Sequence, residues 1–157
     1  MSAEYKNTIL VKHVMRKVSP VCESDTLRDV ALYMIKEAAP VIAVVENEIV
    51  RGVIYIQDLI DPFIPDYFNY LSDFQFVKTF GYLDAEVFSG YFKGLFLAHD
   101  IMREQFDYVE PEDSILKAMF YMHRKNITGI VVIEDGKYKG IVSRFDLIGR
   151  LYGTDTD

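Results

Sequence analysis

Cysteine occurs once in the 157 residues, at Cys22, so no intrachain disulfide can form and no paired zinc or redox spacing exists. A reducing cytoplasm is therefore the expected compartment. Basic residues are also scarce: 17 Lys and Arg against 24 Asp and Glu leave a net charge of -7. That balance works against a broad phosphate-tracking surface, and neither nucleic acid nor a membrane is an expected partner. Long hydrophobic runs are missing too. Residues 1–15 mix charges with single apolar side chains, unlike a signal peptide, and the apolar runs 41–45 and 94–98 are far too short to span a bilayer. No His-Glu-x-x-His, nucleophile elbow, P-loop or Gly-x-Gly-x-x-Gly occurs. His13, His99 and His123 stand apart, and nothing pairs any two of the many carboxylates for acid-base chemistry. The expectation is no metal, no catalytic cofactor and no enzyme.

What is present is a duplication. Val14-Met15-Arg16 recurs as Ile101-Met102-Arg103, a shift of 87 positions. Thr26-Leu27, Tyr33-Met34, Gly52 and Asp58-Leu59-Ile60 recur as Ser114-Ile115, Tyr121-Met122, Gly140 and Asp146-Leu147-Ile148 at a shift of 88, so one residue has been inserted near Phe106. Leu27, Val30, Ala31, Met34 and Ile35 follow helical spacing, as do Ile115, Ala118, Met119 and Met122. Each amphipathic helix is followed by a continuous apolar run, 41–45 or 129–133, whose β-branched content suits a strand buried on both faces. Turn residues come next, Asn47 or Asp135-Gly136, then a second strand over 49–56 or 137–142, then a short helix opening near Asp58 or Asp146. His13 and Asp100 are symmetry mates. A unit of under 50 residues hardly stabilises itself, so the two copies are expected to form one α/β globule with pseudo-twofold symmetry and small three-stranded sheets packed by helices.

The most informative segment is Gly140-Ile141-Val142-Ser143-Arg144-Phe145-Asp146. Two readings share it. Ser143 and Asp146 have the spacing of a capping box at a helix N-terminus. The same N-terminus favours an anion, and a carboxylate there suits ribose hydroxyls, so glycine, hydroxyl and acid together point to a nucleotide.

The duplicated unit with its Gly-x-x-Ser-x-x-Asp ending resembles a pair of cystathionine-β-synthase (CBS) modules, over about 100 residues. The resemblance implies a regulatory pair, often a disc-like homodimer, that binds an adenosine-containing ligand such as AMP, ADP or ATP between the repeats. Carried over by position, Asp146 would bind ribose, Ser143 and Arg144 would face phosphate, and Thr128, Gly129 and Ile130 would contact the base. Val18 and Pro20 from the first repeat would complete that cleft. Of the basic residues near it, Arg144 ranks ahead of the cluster Lys12, Arg16 and Lys17 as the phosphate group. The pseudo-symmetric site would use Pro40, Val41, Ile42, Tyr55, Gln57, Asp58 and Tyr108. There Tyr55 replaces the small hydroxyl, and its ring is expected to weaken or close the site.

Between the repeats, the stretch 62–98 carries twelve of the 22 aromatics, which no solvated linker needs. Helical patterns over 66–80 and 84–97, broken at Gly81, predict a hairpin. The division expected is a first repeat over 1–60, the insert over 61–98 and a second repeat over 99–157. The insert serves either as core, within the chain or between copies, or as a docking surface for a protein partner. The alternative function is accordingly a ligand-free homodimerisation or scaffold protein.

Overall fold

The computed structural model describes residues 8–64 and 96–153. The hairpin expected within 62–98 falls almost wholly outside them. Both copies contain a helix followed by a two-stranded hairpin. The first has α1 (Leu27–Glu37), β1 (Val41–Glu46) and β2 (Ile49–Tyr55), and a one-turn α2 (Ala98–Ile101) opens the second. β3 (Tyr108–Val109), α3 (Ile115–Lys125), β4 (Gly129–Glu134), β5 (Lys137–Ser143) and α4 (Arg144–Tyr152) follow.

The helices begin where the sequence supplies caps. Thr26 Oγ1 accepts the Asp29 N–H at 3.1 Å, and Ser114 Oγ accepts the Leu116 N–H at 3.2 Å. Both end in a left-handed residue, Ala38 (φ 50°) and Asn126 (φ 53°). β1 and β4 are core on both faces, with Val41, Ile42, Ala43, Val44, Ile130, Val131 and Val132 all at 0% exposure. Each hairpin carries a bulge at the equivalent place, after Val44 and after Val132. His13 and Asp100 are indeed symmetry mates: each side chain accepts the backbone N–H three residues upstream, from Leu10 (3.2 Å) and Leu97 (2.8 Å).

The repeats join in two ways. Their hairpins meet edge to edge at Ile49 and Lys137, giving one five-stranded sheet in the order β1-β2-β5-β4-β3. The small sheets expected for each copy are thus halves of a single sheet. The opening segments also cross over. Arg16 and Ile141 exchange both backbone hydrogen bonds (2.9 and 3.0 Å), and Val53 and Arg103 do the same (3.0 and 2.8 Å). Each repeat therefore leans its first extended residues on the other's hairpin.

The crossing explains the repeated glycines. A Cβ on Gly140 would lie 2.7 Å from the Arg16 carbonyl oxygen, and one on Gly52 would lie 2.9 Å from that of Arg103. Gly140→Ala is expected to cost about 1–3 kcal/mol by forcing that backbone apart. Gly149, mid-helix in α4, has nothing within 4 Å of its Cβ position. Gly149→Ala should instead gain about 1 kcal/mol of helix propensity. Urea unfolding of the two variants reads the opposite signs.

Two expectations are corrected. After β2 the chain makes 3₁₀ turns at Ile56–Leu59 and Asp61–Phe63 rather than a helix like α4. Pro62 is responsible, since inside a helix it has no N–H to donate and its ring clashes with the preceding turn. The helix expected over 84–97 does not extend to its last residue: Leu97 is extended (φ -109°, ψ 162°), because this backbone pairs with Thr26 and the Phe96 carbonyl accepts the Leu27 N–H. No described helix is long and apolar enough to cross a membrane.

Candidate functional site

The turn from β5 into α4 is fixed by a reciprocal cap. The Asp146 N–H donates to Ser143 Oγ (3.1 Å), while the Ser143 N–H and hydroxyl each donate to Asp146 Oδ2 (2.8 Å). The capping reading is therefore realised. Its carboxylate has a further partner. Arg16, from the other repeat, places Nε 3.3 Å from Asp146 Oδ1, and its Nη1 and Nη2 donate to the Glu37 and Ala38 carbonyls at 2.8 and 2.6 Å. Those carbonyls end α1, where the helix dipole favours a cation.

The first repeat follows the same plan with a tighter fit. The Tyr55 N–H donates to Asp58 Oδ2 (3.1 Å), but the phenol takes no part in the cap. Arg103 grips both carboxylate oxygens, Nε to Oδ2 at 3.0 Å and Nη2 to Oδ1 at 2.5 Å. Such a forked pair is among the strong charge-assisted geometries. The guanidinium carbon sits 4.9 Å from the centre of the Tyr55 ring. Burial, against the opposing pull of Arg103, pushes the Tyr55 hydroxyl up to about 12. The Arg103 guanidinium is raised in turn, chiefly by its hydrogen bond to Asp58. The Asp58 side chain keeps 7% exposure and that of Asp146 keeps 17%.

The remaining candidates fall as follows. Val18 is buried and its carbonyl accepts the Tyr138 hydroxyl, which holds the first-repeat segment against β5. Exposed Pro20 borders an open hollow of about 470 Å³ together with Ser19, Asp25, Asp29 and Tyr33. Thr128 is exposed, and its carbonyl accepts the Arg144 N–H at 3.0 Å. Gly129 pairs with Ser143 across the hairpin, and Ile130 is core, paired with Val142 and without exposed surface. Arg144 commits Nε to the Ile127 carbonyl and Nη2 to that of Met122, both at 3.1 Å, securing the end of α3. At the pseudo-symmetric site Val41, Ile42 and Tyr55 of the first repeat are buried and Gln57 is half-buried, while Tyr108 of the second repeat is exposed on β3. Pro40 gives its carbonyl to the Ile56 N–H (2.8 Å) and abuts Gly129, where a Cβ would lie 2.7 Å from the proline ring. A groove of about 540 Å³ straddles this contact, lined by the equivalent pairs Pro40 and Thr128, Ile56 and Arg144, with Ile35, Phe145 and Ile148 beside them. Its lining side chains are apolar except for Thr128 and Arg144.

A duplicated unit, crossed opening segments and two equivalent capped carboxylates define the architecture. The CBS domain profile matches residues 11–63 and 98–153. The chain belongs to the CBS-domain family. Solved CBS structures agree over nearly the whole length. The CBS domain of a CBS-domain-containing membrane protein from Sphaerobacter thermophilus is 27% identical, with a TM-score of 0.64 over 93% of this chain and 90% of its own. A CBS-domain-containing protein of unknown function from Bacillus anthracis is 20% identical, at 0.67 over 97% and 99%. The CBS domain pair of the protein MJ0100, solved in complex with 5′-methylthioadenosine and S-adenosyl-L-methionine, is 19% identical, at 0.61 over 93% and 97%. A comparison with curated proteins finds no significant match. A CBS pair is a regulatory module, and this chain carries one.

Within this CBS pair, Arg16 and Arg103 are the partners of the two carboxylates that the Gly-x-x-Ser-x-x-Asp motif does not reveal. The duplication contains the clue. An arginine after Val-Met or Ile-Met and an aspartate after the second strand recur together in both copies. Once the opening segments cross, each arginine meets the other copy's aspartate.

Proposed function

We propose that this CBS pair is a sensor that binds an adenosine-containing ligand at the Asp146 cleft and has no turnover of its own. The observation that carries this reading is the state of Asp146. Its carboxylate is oriented by the Ser143 cap, is mostly shielded from water, and is held from the other repeat only by Arg16 Nε, 3.3 Å from Oδ1 and 3.4 Å from Oδ2. Ribose hydroxyls are suitable donors to replace that contact. The MJ0100 pair, with two adenosine compounds bound, supports the ligand class. The Asp58 site is proposed to stay closed, with both its oxygens gripped by Arg103 beside the Tyr55 ring. Titration calorimetry against AMP, ADP, ATP, S-adenosylmethionine, 5′-methylthioadenosine and cyclic dinucleotides tests the reading. Saturable heat with at least one of them is expected, and none with any would refute it. The proposed compartment is the cytoplasm, where adenine nucleotides and a reduced Cys22 coexist.

A second reading is favoured by one observation: Ser143 and Asp146 already satisfy one another as a helix cap. On that reading the chain is a ligand-free scaffold that engages a protein through its aromatic segment. Asp146→Ala would then lose about 1 kcal/mol of stability and nothing else.

Both readings include pairing with a second copy. Ile35, Phe120, Phe145, Ile148 and Tyr152 are exposed apolar side chains on the helices, with Phe145 at 87%. The groove between Pro40 and Thr128 is lined by residues of both repeats and suits a self-complementary contact. Phe145→Glu should yield a monomer by sedimentation where the parent chain is a dimer; a dimer in both would place the contact elsewhere.

A further inference from the structure

Resting on the nucleotide reading, we propose that Arg16 is the specificity-determining residue of the Asp146 cleft and selects ligands bearing an anionic group on the ribose 5′ side. In the ligand-free chain the Arg16 guanidinium neutralises Asp146, with Nε 3.3 Å from Oδ1. A ribose that takes this carboxylate deprives Arg16 of its counter-charge. A neutral nucleoside offers nothing in return, whereas a phosphate restores a charge pair at the same guanidinium.

The geometry keeps Arg16 in place for that exchange. Its Nη1 and Nη2 are tethered to the Glu37 and Ala38 carbonyls, so release from Asp146 does not free the side chain to leave the cleft. A guanidinium has five N–H donors, and these two tethers with the Asp146 contact use three. Two remain for an incoming oxyanion.

The other cations are placed differently. Lys12 is paired with Glu112 at 2.8 Å on the surface. Arg144 holds the carbonyls of Ile127 and Met122. The equivalent Arg103 is fixed to both oxygens of buried Asp58 beside the Tyr55 ring. Arg16 alone of these reaches its carboxylate through one nitrogen at long range, Nε 3.3 Å from Oδ1 and 3.4 Å from Oδ2, and that carboxylate is the more exposed of the two, at 17% against 7% for Asp58.

The experiment is calorimetric titration of the whole chain with AMP and with neutral 5′-methylthioadenosine at fixed ionic strength, in wild type, Arg16→Gln and Arg16→Lys. The ratio of the two affinities is the readout. Wild type should favour AMP by roughly 10-fold or more, from a charge-assisted contact. Arg16→Gln should bring the ratio to within about 3-fold, leaving 5′-methylthioadenosine binding intact or improved because Asp146 is released. Arg16→Lys should keep most of the preference. A ratio unchanged in Arg16→Gln, or a wild type that prefers the neutral compound, overturns the proposal while leaving nucleotide binding standing. Binding of neither compound to wild type overturns it together with the reading it rests on. If Arg16→Gln does not fold, the wild-type ratio is read against salt: selection by charge requires it to fall as salt rises, and a constant ratio contradicts the proposal.

Discussion

Asp58→Ala is expected to lower the unfolding free energy by about 2–3 kcal/mol, a larger loss than that from Asp146→Ala. The substitution removes three hydrogen bonds at once, from the Tyr55 N–H and from two nitrogens of Arg103. An unpaired buried N–H alone costs about 1–3 kcal/mol. The Arg103 side chain is 44% exposed and regains water, which keeps the total below that of a fully buried pair. Asp146→Ala likewise leaves the buried Ser143 N–H without its acceptor, but its partner Arg16 gives up only a long Nε contact and retains two carbonyl acceptors, so the loss stays that of a helix cap, about 1 kcal/mol. Equilibrium urea unfolding of both variants measures the difference. Equal losses would mean that the two latches are energetically alike, contrary to their geometry.

The second large effect is on binding. Asp146→Ala should weaken whichever adenosine ligand the chain takes by roughly 10- to 100-fold, the equivalent of one charge-assisted hydrogen bond at about 1.5–3 kcal/mol. The cap contributes little to that figure, since Ser143 stays in place at the start of α4 and the helix retains its packing through Leu147. Calorimetry on a variant shown to be folded separates the two contributions. A stability loss with undiminished binding would identify Asp146 as a cap and nothing more.

Much of this was legible in the residues. The Val-Met-Arg and Asp-Leu-Ile repeats aligned the helix and hairpin of one copy with those of the other, and the unbroken apolar runs marked β1 and β4 as strands buried on both faces. The crosswise latches were not legible from the motif, because Arg16 and Asp146 are far apart in the chain and meet only when the opening segments exchange. Arg144 looked like the phosphate residue because it follows Ser143. In the fold that adjacency directs it instead to the carbonyls that end α3. Pro62 was visible throughout, but its consequence for the helix after Asp58 becomes plain only when the two copies are superposed and α4 continues where the first copy turns away.

In the proposed sensor the two copies have diverged into one exchangeable carboxylate and one locked one. Counting ligands per chain tests this most directly, by native mass spectrometry with the most tightly bound adenosine compound, on wild type, Asp146→Ala and Asp58→Ala. The predicted result is one ligand per chain in wild type, none in Asp146→Ala at the same concentration, and one still bound in folded Asp58→Ala. Two ligands per wild-type chain, or a single ligand that survives loss of Asp146 and disappears with Asp58, would contradict it.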